Sequence, residues 1–410
     1  MVVAHYFPEI ASAAHVYGDL AKAFIENGHE VHILTSYPRE FNLSSQDIGK
    51  SFELDETIDG IEIHRCKYNS QRDNIIRRGI EHFSLSKKYF MKYIEIGERF
   101  DVSLFYIPPL PLYYLAMKIK KKDNTPFVLN IQDFHPQELT DVGVLKNRFL
   151  IWFMKRLENK AYKNSDFITT LSCGGKDYIT ERGGDPSRLK HIYNGLILSN
   201  SQELREIGDF KKKQCVDDLF LVTYAGILSP FQGLDIIVDA AKLTEDDDIL
   251  FYIVGDGMSK NHIIKRIRDE KISNLRVMPF QDRDEYFNII RSSDICLVSL
   301  DVRMRAPCIP GKLTNIMAAG KPVIAIVNSE TETAKTVKDA RSGYIVNPIN
   351  SRELNETIIS LRDNPDLRIE MGLNGKRFVE SNMNLEMIVG EYEAIFNFLT
   401  SSNNSMGGKR

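Results

Sequence analysis

The chain has 410 residues, enough for roughly two or three domains with separate cores, and its 43% hydrophobic and 27% charged content is ordinary for a soluble globular protein. A net charge of −3 gives no reason to expect a nucleic-acid binder. The five cysteines (Cys66, Cys173, Cys215, Cys296, Cys308) are scattered and form no C-x-x-C, which argues against a disulfide framework or structural zinc site and for a reducing compartment.

No apolar run approaches the length of a bilayer span and no signal peptide is visible, so the expected location is cytoplasmic. The opening run Met1–Pro8 is strand-like with almost no lead-in, as though its strand were truncated. A helix is expected from about His15 to Asn27, closed by Gly28, and then a strand over Glu30–Thr35. Strand, helix and strand at this spacing make the βαβ unit of a parallel sheet. Further strands are expected at 61–66, 102–107, 127–131, 167–171 and 191–193.

Two segments are basic and amphipathic. Residues 72–99 carry Arg72, Arg77, Arg78, Lys87, Lys88 and Lys92 among Ile and Phe residues, and 148–163 hold the single tryptophan, Trp152. Such segments suit an anionic lipid surface, and equally a core helix with a solvated charged face.

A polar stretch without periodicity marks a linker over 201–216, which separates a domain at 1–200 from a second at 217–384. Alternating strands and helices resume at Phe220. A helix at 385–400 is expected to pack back toward the first domain, and a tail follows at 401–410. Two such arrays predict an α/β protein of two Rossmann-like domains facing across a cleft, with ligands at the carboxyl ends of the strands.

Residues 305–327, RAPCIPGKLTNIMAAGKPVIAIV, form the segment around which the second domain is organised. Pro310 and Gly311 precede a short helix, and Gly320 ends it. A loop feeding a helix N-terminus, with Lys312 in its first turn, is a ready anion site; an ordinary βα unit with a solvated lysine reads the same way. Loop 225–233, AGILSPFQG, is bracketed by Gly226 and Gly233, so its N–H groups can approach a phosphate. It is not G-x-G-x-x-G, which speaks against a dinucleotide oxidoreductase. Val254–Gly257 is a second glycine turn at a strand end.

Three acidic features invite a metal reading. Asp246–Asp248 falls in a solvated turn. Asp282-Arg283-Asp284 has a D-x-D form, but it opens a helix, where capping is the expected role. Asp133 ends a strand of the first domain beside His135, as a sugar contact, a general base or a loop cap. The hydrolase and P-loop signatures are absent.

Taken in order, the chain resembles the family 4 glycosyltransferases of the GT-B fold. The resemblance rests on His5–Glu9, Gly28–Val31, Asp133 with Pro136, Tyr193-Asn194-Gly195, Tyr224-Ala225-Gly226, Gln232–Asp235, Val254–Gly257, Ser293-Asp294, Pro310–Leu313 and Ala318–Pro322. It is nearest to the branch that builds capsule, O-antigen and colanic-acid-type polysaccharides, fucosamine transferases among them. The resemblance implies a nucleotide-sugar donor, a UDP-sugar such as a UDP-N-acetyl-fucosamine type, held mainly by the second domain. It implies a polyprenyl-diphosphate-linked or growing surface-polysaccharide acceptor against the first, at the inner face of the cytoplasmic membrane. Transfer would retain configuration and need no metal or cofactor.

Carried onto this sequence, the resemblance assigns catalysis to Asp133 and Lys312. It assigns the donor to Gly226, Ser229, Gln232, Gly255, Arg305, Gly311, Lys312, Leu313 and Asn315, and the acceptor side to Glu9 and Ala13. The chain departs from the family where Pro307 and Asn315 stand in place of a pair of glutamates, and where Pro230 and Gln232 fall near the usual basic residue. The loop from Glu9 to Ala14 also lacks the usual glycines. A nucleotide-sugar 2-epimerase of the same fold and a non-catalytic nucleotide-sugar-binding scaffold are the alternatives.

Overall fold

The computed structural model describes residues 1–40, 43, 47–67, 75–197 and 209–407. Arg72 of the first basic segment, and residues 201–208 of the expected linker, lie outside the described residues. The chain divides into two compact units. One comprises Met1–Pro136, Lys146–Ile197 and Met383–Arg410; the other comprises Gln137–Leu145 and Leu198–Asn382. The short segment Gln137–Leu145, which the sequence places in the first domain, thus belongs to the second unit.

In the first unit the strands are β1 (His32–Ser36), β2 (Asp55–Ile58), β3 (Ile61–Cys66), β4 (Ser103–Ile107), β5 (Phe127–Ile131), β6 (Phe167–Thr170) and β7 (Leu189–His191). β1, β3 and β2 form one sheet and β4 to β7 another, parallel throughout except for β2 against β3. The opening residues join the two. Val2 bridges Leu34 of β1 and Phe105 of β4, and its N–H donates to Leu104 at 2.8 Å. β2 was not anticipated; it reaches β3 through Asp59 and Gly60, both at positive φ (52° and 80°).

The first helix spans Ser12–Glu26 and so starts ahead of the expected His15. Tyr17, Leu20, Ala21 and Phe24 recur at helical spacing on its buried face. They pack in one core with Ile388, Val389, Tyr392 and Ile395 of the C-terminal helix Leu385–Gly407. That helix continues through 401–407, where the sequence suggests a tail.

The strands of the second unit are β8 (Phe220–Ala225), β9 (Ile249–Val254), β10 (Leu275–Met278), β11 (Ile295–Ser299), β12 (Val323–Ile326) and β13 (Gly343–Val346). Every residue of β8, β9, β11 and β12 is buried, as expected of parallel strands covered on both faces. Each large aliphatic side chain so buried contributes about 1.5–3 kcal/mol. The sheet order is β10-β9-β8-β11-β12-β13, all parallel. The chain therefore steps outward from β8 to β10, then returns to the other side of β8 at β11. β8 and β11 share only the pairs Val222↔Ile295 and Thr223↔Cys296, so they part toward their carboxyl ends. A crevice at that switch point is where an open α/β sheet binds ligands. Helices Glu332–Ala340 and Pro365–Asn382, and β13, complete the unit without having been read from the sequence.

Candidate active site

Lys312 stands at the switch point of the second unit. Its helix, Gly311–Ala318, begins at the extended Pro310, whose missing N–H costs nothing at a helix start. The side chain leaves the first turn and crosses from the β11 side to β8. There Nζ donates to Tyr224 Oη at 2.5 Å and lies 3.9 Å from the centre of the same ring. Tyr224 is fully buried on β8, and its hydroxyl donates onward to Ile227 O at 2.9 Å.

Among the described residues no carboxylate pairs with Lys312. Burial alone pushes its ammonium down to about 7. A cation at the positive end of a helix, with no carboxylate partner among the described residues, suits an anion.

Glycine makes room for it. A Cβ on Gly226 (φ +152°) would lie 2.8 Å from Lys312 Nζ. A Cβ on Gly255 would lie 1.9 Å from Gly226 O, and one on Gly257 2.3 Å from Leu228 O. The two glycine turns therefore nest against each other and against the lysine. Their N–H groups are another matter. Gly226 N–H donates to Val254 O at 2.9 Å, Gly255 N–H to Met278 O at 3.0 Å, and Leu228 N–H to Asp256 O at 2.8 Å. Loop 225–233 was expected to bring its N–H groups to a phosphate; those of Gly226 and Leu228 are engaged by the end of β9 and the turn after it. Those groups extend the β-ladder, and the glycines act through their lack of a side chain.

The rest of that loop is self-contained. Ser229 and Gln232 form a capping box, with Ser229 Oγ donating to Gln232 Oε1 at 2.5 Å. Ser299 Oγ, at the end of β11, donates to Gln232 O at 2.6 Å and pins the loop across the switch point. Leu313 is buried, and its N–H donates to Pro310 O at 2.9 Å, which leaves it a packing role. Asn315 is half-buried one turn further along, and Gly311 opens the helix with its surface exposed.

Arg303 is held by both oxygens of Asp301, at 2.8 and 3.0 Å. Arg305 is exposed, and its guanidinium reaches only the carbonyls of Val302 and Met304. The loop carrying both is fixed by a residue that the sequence did not single out. Asp141 Oδ2 accepts from the N–H groups of Arg305 at 2.7 Å and Ala306 at 3.0 Å. Nothing local marks Asp141, because its partners lie far away in sequence.

Around Glu9 the first unit pairs its charges. Glu9 is 1% exposed; it accepts from Arg39 Nε at 3.0 Å and from the Arg39 N–H at 3.2 Å. Arg39 Nη2 also approaches His5 Nε2 at 2.5 Å, and His5 Nδ1 lies 3.0 Å from Glu9. Arginine only donates, so His5 accepts at Nε2 and its Nδ1–H donates to Glu9. Ala13 is buried in the first turn of the first helix. Asp133 lies just beyond the carboxyl end of β5, half-buried beside His135. Burial pushes the Asp133 carboxyl up, against the opposing pull of His135, and pushes the His135 imidazole down. Next to them runs a buried amide relay that sequence reading passed over. Gln132 Nε2 donates to Asn130 Oδ1 (2.6 Å) and Asn194 Oδ1 (2.8 Å), and Asn194 Nδ2 donates back at 2.8 Å.

The other acidic candidates have structural partners. Asp282 caps its helix by accepting from Glu285 N–H at 2.9 Å, and Asp246 and Asp248 both bind Arg362 at 3.0 Å. A cavity of about 350 Å³ lined by Leu219, Thr244, Ile249 and Asn274 opens at the opposite, amino-terminal edge of the second sheet, away from Lys312.

Residues 207–378 match the family described as glycosyl transferases group 1, and residues 13–195 match the glycosyl transferase 4-like domain. The chain is a glycosyltransferase of the GT-B fold. Among its relatives, the putative colanic acid biosynthesis glycosyl transferase WcaI of Escherichia coli is 21% identical over 80% of this chain and 83% of its own. The probable glycosyltransferase WbjE of Pseudomonas aeruginosa is 22% identical over 67% and 69%. Of the solved structures, sucrose-phosphate synthase from Thermosynechococcus elongatus superimposes with a TM-score of 0.78 at 15% identity, covering 98% of both chains. Anabaena HepE, in complex with UDP and glucose, does so with a TM-score of 0.72 at 14% identity over 96% of this chain and 98% of its own. The fold and the enzyme class are thereby fixed.

Proposed function

We propose that this transferase moves a sugar from a UDP-sugar to a lipid-linked or growing surface-polysaccharide acceptor, with retention of configuration and without a metal. The observation that carries the donor reading is Lys312: a cation without a counter-ion, at a helix N-terminus, at the switch point of its sheet. Negative charge grows on the leaving diphosphate in the transition state, and a positioned ammonium stabilises it there without coordination chemistry. The Asp282-x-Asp284 segment, the D-x-D form that would otherwise hold a divalent cation on the donor, uses Asp282 as a helix cap. Gly226, Gly255 and Gly311 keep the approach to the ammonium open. Arg305 and Asn315 are placed to add a second charge and a ribose contact, and Ser229 and Gln232 to hold the loop.

Two features of the first unit support the acceptor side. Asp133 and the Glu9–His5–Arg39 group offer polar contacts near strand ends, and Ala13 packs in the first turn of the helix that follows Glu9. Helix Arg148–Asn164 exposes Phe149 (73%), Trp152 (56%) and Phe153 (37%) alongside Arg148, Lys155 and Arg156. Its other face buries Leu157, Ala161 and Tyr162. An aromatic face flanked by cations suits the headgroup region of an anionic membrane, where a lipid-linked acceptor resides. Among the described residues no helix is long and apolar enough to cross a membrane.

Transfer itself is the test. The purified protein is incubated with UDP-, GDP- and dTDP-sugars, UDP-N-acetyl-fucosamine included, and a polyprenyl-diphosphate-GlcNAc acceptor in EDTA, with products weighed by mass spectrometry. A one-sugar gain that survives EDTA and collapses in Lys312→Ala supports the proposal. Donor isomerised without acceptor would indicate an epimerase, and nucleotide binding without any turnover a scaffold. Because Trp152 is the only tryptophan, its emission reports the membrane step: a blue shift on mixing with anionic vesicles is expected, and none with neutral ones.

A further inference from the structure

A chain of side chains in the first unit ends on the imidazole Nε2 of His32. Asp55 on β2 lies opposite His64 on β3, and Asp55 Oδ1 is 2.8 Å from His64 Nδ1. The other oxygen of Asp55 accepts from Lys92 Nζ at 2.7 Å. A carboxylate so held only accepts, so His64 carries its proton on Nδ1 and turns Nε2 outward as an acceptor. His64 Nε2 is 3.0 Å from His32 Nδ1, which must then be the donor. In its neutral form His32 is left with a lone pair on Nε2.

That lone pair faces two carboxylates. His32 is 8% exposed, and its Nε2 is 3.2 Å from Glu30 Oε1 and 3.4 Å from Glu98 Oε2. Among the described residues neither glutamate is paired with a lysine or arginine. With His32 neutral, three acceptors converge without a donor, an arrangement that one metal cation at their centre, or one proton, resolves.

We propose that Glu30, His32 and Glu98 form a binding site for a divalent transition metal, with zinc the best fit. The ligand atoms lie within 4.8 Å of one another. Zinc bonds to nitrogen and oxygen of about 2.1 Å in a tetrahedron imply edges of about 3.4 Å, which the two His32 separations match. One imidazole with two carboxylates suits zinc better than magnesium, which keeps octahedral water. Asp55–His64–His32 supplies the outer hydrogen bonds that fix the tautomer and orientation of a metal-ligating histidine. The ion would clip the turn before β1 to the segment between helix Ile75–Ile96 and β4, with water in the fourth position. Lys312 and its partners belong to the other unit, so this site is separate from the proposed metal-free chemistry.

The test uses the full chain, stripped with EDTA and dialysed, titrated with zinc chloride by calorimetry and followed by thermal melting. One zinc per chain and a raised Tm are expected, with no response to magnesium. Glu30→Gln and Glu98→Gln change exposed residues and should fold normally, and each should weaken zinc by roughly tenfold or more. His32→Gln should abolish binding. Absence of heat would mean that a proton on the imidazole pair fills the position, and the proposal falls. Wild-type affinity in both glutamate variants would place the zinc elsewhere, such as at cysteine thiols, and overturn the proposal as well.

Discussion

The strand ends of the two units treat charge in opposite ways. In the first, Glu9, His5 and Arg39 satisfy one another, and burial biases Asp133 and His135 toward their neutral forms. In the second, Lys312 has a phenol and a ring face for company and no carboxylate. A self-neutralised polar surface costs little when empty and suits an uncharged sugar hydroxyl. A lone cation pushed down to about 7 by burial is unfavourable when empty and is relieved only by an anion. On the proposed reading, this contrast assigns the diphosphate to the second unit.

The strongest way to break it is to remove the cation. Lys312→Ala should lower kcat by about 10²–10³-fold, the usual effect of deleting one preorganised donor to developing negative charge. Near-normal turnover would move the diphosphate elsewhere, with exposed Arg305 the next candidate. Asp133→Asn should also slow transfer, by about tenfold to a hundredfold if it handles a proton, yet leave UDP affinity unchanged. A joint loss of UDP binding would erase the division between the units.

A smaller effect sharpens the same point through pH. In the free enzyme Lys312 is charged below about pH 7 and neutral above it. A bound diphosphate raises that value, so above pH 7 UDP binding must take up a proton. Affinity should be flat below pH 7 and then fall by up to about tenfold per unit as pH rises toward 9. Calorimetric heats should depend on the buffer's ionisation enthalpy over that range. Lys312→Arg, which stays charged, should lose this dependence; a wild-type profile flat to pH 9 would sink the argument.

How much of this was legible in the sequence follows from the range of the forces involved. The βαβ alternation, the helix start at Pro310-Gly311 and the buried strands β8, β9, β11 and β12 are written in local pattern, and they appeared nearly where expected. Lys312 was legible because a helix start and a lysine coincide within one turn. The glycines were found, and strand pairing adds what local pattern does not carry, that the N–H groups of Gly226 and Gly255 are bound in the sheet. Asp141 anchoring Arg305, and the relay through Gln132 and Asn194, depend on contacts far apart in sequence and leave no local trace. The β2–β3 hairpin did leave one, since Asp59-Gly60 is a turn dipeptide, and it was overlooked.

The finest test of the contrast compares stability, where the two units should respond with opposite signs. Lys312 is protonated in the unfolded chain at neutral pH and half-deprotonated in the folded one. Its burial therefore opposes folding, fully below its lowered folded value and progressively less as pH rises from there to the ordinary lysine range. Lys312→Met keeps the packing against Tyr224 and removes that opposition, so Tm should rise even as transfer is lost. Glu9→Gln does the reverse: it breaks a buried ion pair whose partner Arg39 remains, and should cost about 1–3 kcal/mol while UDP affinity stays within about twofold. Thermal melts of the two variants at pH 7.5, with and without UDP, read both signs at once. A Lys312→Met protein less stable than wild type would mean that the lysine is already satisfied in the free enzyme, and the case for an anion at that position would lose its physical basis.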